Sequence, residues 1–380
     1  MEEILARIVK MTSDPYSHVA QLKEETGKKI IGCFPMHVPE ELVHASGMIP
    51  IVIWRGDEPV TWGHSHIPPY NCGIVRSFID DAVKGKVKFF DGMVFHTRQC
   101  LQVGEFPIIM RNHVKPEFMK ILYLPAAYDG SAIRDYTLQD LESFKASLEK
   151  YSGTKISDDA IKNSIKIYNE NRSLLERIYQ IRKEKPGILN SSMVMRIVLS
   201  SMLMPKDDNN KLLGDLIKGL ESKSFQPENN KIGVIPVGAM CQTIQFEILD
   251  IIEDLGMVVP DDDLYIGSRY FANKVSLDKG PLDALADRYL CKTPVCPTKG
   301  IYDVHWADDV IQKVKDSNSK GVISILIKFC PPHTCYYPDF KSKMAEEGIP
   351  EVMIQVEHEI VSLEGTKTRL QSFAESLRGK

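Results

Sequence analysis

Three cysteines that lie far apart in the chain have a residue type and a setting suited to metal chemistry. Cys72, Cys100 and Cys330 each follow a short apolar or aromatic stretch, a position typical of the end of a β-strand. Because strand ends can converge in a folded sheet, three such thiolates could hold an iron–sulfur cluster and leave one iron without a cysteine ligand. An iron with an exchangeable position can bind substrate as well as transfer electrons. The competing interpretation of each residue is a buried thiol without a metal.

The other cysteines have weaker signals. Cys33 lies inside an apolar run and Cys241 follows Ala-Met, so both are expected to be buried thiols. A zinc pattern of Cys-x-x-Cys type is absent from the sequence, and the closest pairs have four residues between them. The sequence leaves open the roles of three further residues, Cys291, Cys296 and Cys335.

Residues able to move protons or bind anions surround the three candidate ligands. Histidine is the side chain best suited to proton transfer near neutral pH, and arginine can orient a carboxylate. The simplest interpretation is that these are surface loop residues: His64, His66, His96, Arg98 and His333. Glu40 and Glu41 are interpreted as charges that favour the start of a helix.

Apolar runs alternate with helical patterns in both halves of the chain, which predicts an α/β protein. We expect two open Rossmann-like or flavodoxin-like domains with parallel sheets and a helical segment between them. The expected boundaries are 1–135 with Cys72 and Cys100, 136–229 for the helical segment, and 230–380 with Cys330. Composition predicts loops at 205–210 and 226–230.

Composition and missing motifs exclude several classes of function. The net charge of −4 among 380 residues gives no indication of nucleic-acid binding. The sequence contains neither a Gly-x-Gly-x-x-Gly motif after a strand nor a P-loop, so we expect no nucleotide site of these kinds. The first residues lack the features of a signal peptide, and the longest apolar runs are too short to span a bilayer. We therefore expect a cytoplasmic protein with reduced thiols and no membrane contact.

Several stretches give the chain a resemblance to a known family over nearly its whole length. They are 31–50 (IGCFPMHVPEELVHASGMIP), 91–95 running into Cys100, 285–290 leading to Cys296-Pro, 327–333 (IKFCPPH), and 348–350 with 368–373. On these residues the chain resembles the smaller (beta, C-type) subunit of the 2-hydroxyacyl-CoA dehydratase and benzoyl-CoA reductase family. One departure is the loop before Cys100, which has one residue more than related sequences and lacks the acidic residue that usually follows.

The resemblance implies a cofactor, its ligands and its partners. One [4Fe-4S] cluster per chain would be held by Cys72, Cys100 and Cys330, with no protein cysteine on the fourth iron. The chain would pair with a related larger subunit and act on an acyl-CoA. A separate ATP-hydrolysing iron–sulfur activator would supply the electron, in agreement with the missing nucleotide motifs here.

The implied reaction is oxygen-sensitive radical chemistry. One electron enters the CoA thioester carbonyl and forms a ketyl radical anion. In an (R)-2-hydroxyacyl-CoA dehydratase, which is a lyase, the substrate radical then expels its hydroxyl group, loses a proton and returns the electron. A benzoyl-CoA reductase, which is an oxidoreductase, keeps the electrons in the reduced ring.

Three alternatives to the dehydratase stay open at the level of sequence. The first is a subunit of a benzoyl-CoA reductase. The second is a homodimeric reductase of small molecules with a double-cubane [8Fe-9S] cluster, which needs further cysteine ligands. The third is a scaffold or binding subunit without a cluster, whose thiols are only structural. The sequence names neither the acyl group nor the subunit that contacts it.

Overall fold

Two parallel β-sheets with helices between them form the framework, so the predicted α/β class is confirmed. The computed structural model describes residues 1–34, 37–52, 59–97, 107, 110–125, 131–226, 231–238, 245–297, 305–357 and 362–379. The strands described are β1 (Ile30–Phe34), β2 (Ile49–Ile51), β3 (Gly92–Thr97), β4 (Phe118–Tyr123), β5 (Ile232–Gly238), β6 (Met257–Val258), β7 (Asp263–Leu264), β8 (Gly321–Ile327) and β9 (Glu351–Val356).

The α-helices cover the sheets and fill the middle of the chain. Those described are α1 (Glu2–Ser13), α2 (Pro15–Thr26), α3 (Glu40–Ala45), α4 (Gly73–Val83), α5 (Ser131–Ser152), α6 (Asp158–Glu184), α7 (Ser191–Leu203), α8 (Lys206–Ser222), α9 (Phe246–Asp254), α10 (Pro281–Asp287), α11 (Trp306–Asp316), α12 (Pro331–Glu346) and α13 (Glu364–Arg378). Within the described ranges, no helix is long and apolar enough to cross a membrane.

The first sheet has the strand order β2-β1-β3-β4, and all its pairs are parallel. Every residue of β1 is buried, as expected for a strand covered on both faces. The carboxyl ends of β1 and β3 lie at the same edge, where Phe34 is opposite Phe95. Ligand sites of open parallel sheets lie beyond such an edge.

The second sheet has the order β6-β5-β8-β9 and is also parallel. Strand β6 pairs with the first two residues of β5, Ile232 and Gly233, and strand β7 pairs with the last two, Val237 and Gly238. Gly238 has a φ of +100°, and a Cβ there would overlap the carbonyl oxygen of Ile325. A glycine is therefore needed where β5 meets β8 at the carboxyl edge.

Helices α5 to α8 form the segment between the sheets, and one sequence prediction there is wrong. The predicted loop at 205–210 is the start of α8, which begins at Lys206 directly after Pro205. Asn209 and Asn210 in its first turns are buried because their amides have partners: Asn171 Nδ2 donates to the side-chain oxygens of both, each at 2.8 Å. Composition indicated solvent exposure, but tertiary hydrogen bonds satisfy these groups inside the protein. The loop predicted at 226–230 lies almost entirely outside the described residues.

A buried carboxyl group joins α2 to α4 and leads to a prediction about pH. Tyr16 donates its hydroxyl to Asp81 Oδ2 at 2.8 Å, and Lys86 Nζ lies 3.8 Å from Asp81 Oδ1. Burial raises the pKa of Asp81 from its ordinary 3.8 to about 6. The folded state therefore holds this proton more tightly than the unfolded chain, and the contribution of Asp81 to stability falls as pH rises from about 4 to 6.

Replacing Asp81 with asparagine is expected to stabilise the protein at neutral pH. Asparagine can accept the Tyr16 hydrogen bond without the cost of a buried charge, so Asp81→Asn should gain roughly 1–2 kcal/mol at pH 7 and nothing at pH 4. Urea unfolding at both pH values measures the difference. An equal effect of the substitution at the two pH values would contradict the assignment.

Candidate functional site

Cys72 is held at the start of a deeply buried helix. It directly precedes α4 with an extended backbone (φ −61°, ψ 147°), and its side chain is buried. Asp80 Oδ1 fixes the loop ahead of it by accepting the backbone N–H groups of Thr61, Trp62 and Gly63 at 2.9, 2.6 and 2.9 Å. Although burial alone would raise it, Lys84 and these N–H groups hold the pKa of Asp80 below its usual range. A carboxylate of α4 that stays ionised thus anchors the start of the loop that leads to Cys72.

Cys330 also precedes a helix, but it lies just after a strand, whereas Cys72 follows a short 3-10 turn and not the predicted strand end. Cys330 precedes α12 and follows β8 through Phe329, whose φ of +62° lies in the left-handed region that is uncommon for a residue other than glycine. The backbone N–H of Cys330 donates to the carbonyl of Ile327 at 3.1 Å, which turns the chain sharply after the strand. The sulfur is therefore presented at the carboxyl edge of the second sheet.

A buried histidine contacts the Cys330 sulfur. His333 Nδ1 lies 3.1 Å from Cys330 Sγ, and only 2% of His333 is exposed. Its ring packs edge-on against Trp306, with 5.5 Å between centroids. Burial, followed by the nearby Arg269 cation, lowers the pKa of His333 to about 3, so the imidazole is neutral at physiological pH. A neutral imidazole that faces a thiolate must donate its N–H to the sulfur.

A shared carboxylate links the elements that carry Cys72 and Cys330. Glu357 follows β9, and its Oε1 accepts Arg76 Nη2 at 3.3 Å while its Oε2 accepts Lys328 Nζ at 3.0 Å. Arg76 lies one turn after Cys72 in α4, and Lys328 lies two residues before Cys330. The first turn of α4 and the end of β8 are therefore neighbours in space, although they come from different halves of the chain.

The complete three-cysteine site cannot be read from the described residues, because Cys100 and Arg98 lie outside them, as does Cys241. Among the residues that are described, no group of three or more His, Cys, Asp or Glu side chains could hold a metal ion. The sulfur of Cys100, which the predicted site requires, is not among these residues. Ligation by Cys72, Cys100 and Cys330 stays a prediction.

The remaining described cysteines differ in burial. Cys33 is 1% exposed inside β1, as expected, and burial raises the pKa of its thiol well above the usual value. Cys296 is buried, whereas Cys291 and Cys335 are exposed.

The surface-loop interpretation of the histidines is wrong for two of them. His333 lies inside the protein, and His96 is a buried residue of β3. His64 is exposed, and the half-buried His66 packs against His113 with 4.3 Å between ring centroids. A histidine three residues after a cysteine that precedes a helix returns to the same face of that helix, and this spacing could have indicated the contact at His333.

A second polar site, which we call the charged cavity, lies where the two halves and the helical segment meet. Its volume is about 490 Å³ when the space open to solvent is included. Its charged and phenolic lining comes from α3, α6, the start of α8 and the region after β7: Glu40, Glu41, Tyr168, Arg172, Lys206, Tyr265, Arg269, Tyr270 and Arg288. The interpretation of Glu40 and Glu41 as helix-start charges was incomplete, because both are buried here.

One carboxyl group of the cavity forms a buried ion pair. Arg172 Nη2 donates to Glu41 Oε1 in a short contact, and Arg172 Nη1 donates to Asn169 Oδ1 at 3.0 Å. Burial would raise the pKa of Glu41, but Arg172 and Arg288 outweigh it and hold that pKa below its usual value. Glu41 is therefore an anion in the folded protein.

The other carboxyl group belongs to a chain of hydrogen bonds. Lys206 Nζ donates to the Tyr270 hydroxyl at 2.6 Å, and that hydroxyl lies 3.1 and 3.2 Å from the two carboxyl oxygens of Glu40. Burial raises the pKa of Glu40 and lowers that of Lys206, and their mutual attraction offsets this only in part. Such a chain can move a proton between a buried amine and a buried carboxyl group.

Comparisons with known proteins identify relatives over nearly the full chain. A family model described as the 2-hydroxyglutaryl-CoA dehydratase D-component matches residues 35–377. The (R)-phenyllactyl-CoA dehydratase beta subunit of Clostridium sporogenes is 27% identical over 97% of this chain and 96% of its own length. The beta subunit of lactoyl-CoA dehydratase from Anaerotignum propionicum is 27% identical over 99% of each chain. A benzoyl-CoA reductase subunit of Thauera aromatica is 27% identical over 99% of this chain and 98% of its own.

Proposed function

Because this chain belongs to the 2-hydroxyglutaryl-CoA dehydratase D-component family, we propose that it is the iron–sulfur subunit of an (R)-2-hydroxyacyl-CoA dehydratase. One [4Fe-4S] cluster is held by Cys72, Cys100 and Cys330. The enzyme works in the cytoplasm by one-electron, ketyl-radical chemistry on a CoA thioester. Its electron comes from a separate ATP-hydrolysing activator.

The observation that carries the proposal is the Glu357 carboxylate shared by Arg76 and Lys328. These two cations lie four residues after Cys72 and two residues before Cys330, so one anion joins both cysteine-bearing elements. Arg76 is 4% exposed and its partner Glu357 has a side-chain exposure of 30%, so solvent screens this pair less than it screens a fully exposed one. This supports the convergence of two of the three proposed ligands.

The surroundings of Cys330 fit a thiolate ligand. Hydrogen bonds to ligand sulfurs and exclusion of solvent are the means by which a protein tunes such a cluster. When bound, a [4Fe-4S] cluster supplies one-electron transfer and an iron that can accept an oxygen ligand. The residues of this chain hold the sulfur at the strand end, donate an N–H through His333, and cover that imidazole with Trp306.

The partners follow from the relatives and from the missing nucleotide motifs. The two dehydratase relatives are each described as a beta subunit, which supports a second, larger subunit and an acyl-CoA substrate for this chain. The sequence has no P-loop, so the ATP-dependent step belongs to the separate activator.

A second candidate function is ring reduction within a benzoyl-CoA reductase. The Thauera aromatica relative has the same 27% identity as the dehydratase relatives, so identity does not separate the two reactions. Both use the same proposed ligands in this chain.

Anaerobic analysis of the chain, copurified with its larger subunit, tests the proposal. We expect about four irons and four acid-labile sulfides per protein chain of the complex. About eight irons per chain would favour the double-cubane alternative, and a colourless protein without iron would favour the scaffold and overturn the proposal. Assays with activator, ATP and either an (R)-2-hydroxyacyl-CoA or benzoyl-CoA then identify the reaction.

The Glu357 link leads to a prediction of its own. Glu357→Gln removes the charge that joins Arg76 to Lys328, so the cluster should be lost several-fold faster under air, with little change in initial iron content. Absorbance near the cluster band, followed over time, measures the loss. Glu375→Gln on the exposed face of α13 is the control. Equal rates in wild type and Glu357→Gln would show that the link does not hold the site together.

A further inference from the structure

The charged cavity contains more positive than negative charge within the described part of the chain. Arg172 pairs with Glu41, Lys206 lies 3.5 Å from Glu40, and Arg269 Nη2 lies 2.8 Å from Asp263. These pairs account for three of the four cations that line the cavity, and the fourth is Arg288.

Arg288 has no carboxylate within ion-pair distance among the described residues. Its guanidinium donates to the backbone carbonyls of Asn273, Ala272 and Tyr270 at 3.0, 3.1 and 3.5 Å. Burial and the neighbouring Arg172 lower the pKa of Arg288 to about 10, which still leaves it charged at neutral pH. A cation in this position is stabilised when an anion enters the cavity.

A second arginine of the cavity, Arg269, has a buried N–H group without a hydrogen-bond acceptor among the described residues. It is 7% exposed and lines the charged cavity, and its Nε has no acceptor in the part of the chain that is described. Buried N–H groups are nearly always satisfied by protein, water or ligand. An oxyanion supplies acceptors as well as the missing negative charge.

An adjoining cavity shows what the rest of the ligand would be. It shares His37, Val38, Glu41, Arg288 and Thr293 with the charged cavity, but its other lining includes Leu124, Leu141 and Leu285. A ligand that spans both spaces would place an anionic head near Arg288 and a short apolar chain against the leucines. Phosphate alone would leave the leucine-lined space unfilled.

We propose that these two cavities together bind a small organic acid, with its carboxylate at Arg288 and its apolar chain against Leu124, Leu141 and Leu285. The site uses none of the three proposed cluster ligands. The proposal therefore goes beyond the proposed function.

Thermal shift measurements on the full protein, copurified with its partner subunit, test this site. Hexanoate should raise the melting temperature in a saturable way, acetate should do so less, and the neutral isostere hexanamide should have no effect. Arg288→Gln should weaken the apparent affinity for hexanoate by about tenfold or more, because a charge-assisted hydrogen bond is lost. Arg177→Gln, which removes a surface arginine paired with Glu184 and Glu221, should leave the affinity unchanged.

Several outcomes would overturn the proposal. They are equal shifts with hexanamide and hexanoate, equal affinity in wild type and Arg288→Gln, an effect of acetate as strong as that of hexanoate, or no shift with any of these probes. If Arg288→Gln does not fold, crystals of the wild-type protein soaked in 6-bromohexanoate give the answer. An anomalous bromine peak beside Leu124 and Leu285 would support the site, and its absence there would refute it.

Discussion

Replacing Cys72, Cys100 or Cys330 with alanine is expected to remove most of the iron from this chain. A cubane held by three thiolates loses a large part of its binding when one is deleted, so iron content should fall to less than about a quarter of the wild-type value. Anaerobic iron and sulfide analysis, with the absorption spectrum of the cluster, measures the loss. Activity with the acyl-CoA should disappear in parallel.

Control substitutions separate loss of ligands from loss of any thiol. Cys291 and Cys335 are exposed, so the Cys291→Ala and Cys335→Ala variants should keep the iron content of the wild type. Cys33 is a buried thiol with a raised pKa. Cys241→Ala is also expected to keep the wild-type iron content. Far-ultraviolet circular dichroism shows whether each variant is folded. If Cys241→Ala or Cys335→Ala loses as much iron as Cys330→Ala, the assignment of the three ligands is wrong.

Glu41→Gln is expected to have the largest effect on stability. The substitution leaves Arg172 buried without its anion, and breaking a buried pair in this way typically costs about 3–5 kcal/mol. Arg172 and Glu41 have side-chain exposures of 8% and 4%, so solvent does little to compensate the remaining cation. Urea unfolding under anaerobic conditions measures the change.

A surface pair of the same residue types is the matched control. Arg177 Nη2 lies 2.8 Å from Glu221 Oε1, with exposures of 37% and 46%, so Glu221→Gln should change stability by less than about 1 kcal/mol. Similar effects of Glu41→Gln and Glu221→Gln would mean that the charged cavity is open enough for water to replace the lost carboxylate.

The α/β class could be predicted because the long central strands consist of short apolar runs. All residues of β1 and β8 are buried, and each lies within such a run. The start of α8 could not be predicted in this way. Asn209 is completely buried because Asn171 and Ser201 donate to it and Ser200 accepts from it, and these contacts form only in the tertiary structure.

The candidate site could be predicted only as a set of residue types. The apolar stretches that precede Cys72 and Cys330 singled out these residues as candidates. The carboxylate that links their elements is Glu357, and it lies 281 positions from its partner Arg76. In the same way, Glu40 and Glu41 have local features of a helix start, and nothing near them in sequence indicates their partners Arg172 and Tyr270. Composition and spacing carry no information on such distant pairing.

The way in which the charged cavity is assembled has a consequence for the order of folding. Glu41 meets Arg172 across 131 positions and Glu40 meets Tyr270 across 230, so these groups stay hydrated until three distant stretches of chain have docked. Their dehydration is favourable only when all of them arrive together, because a lone charge would be left without its partner. We therefore expect closure around these side chains to be a late, rate-limiting event of refolding. Added salt, which screens their attraction before contact, should slow that event.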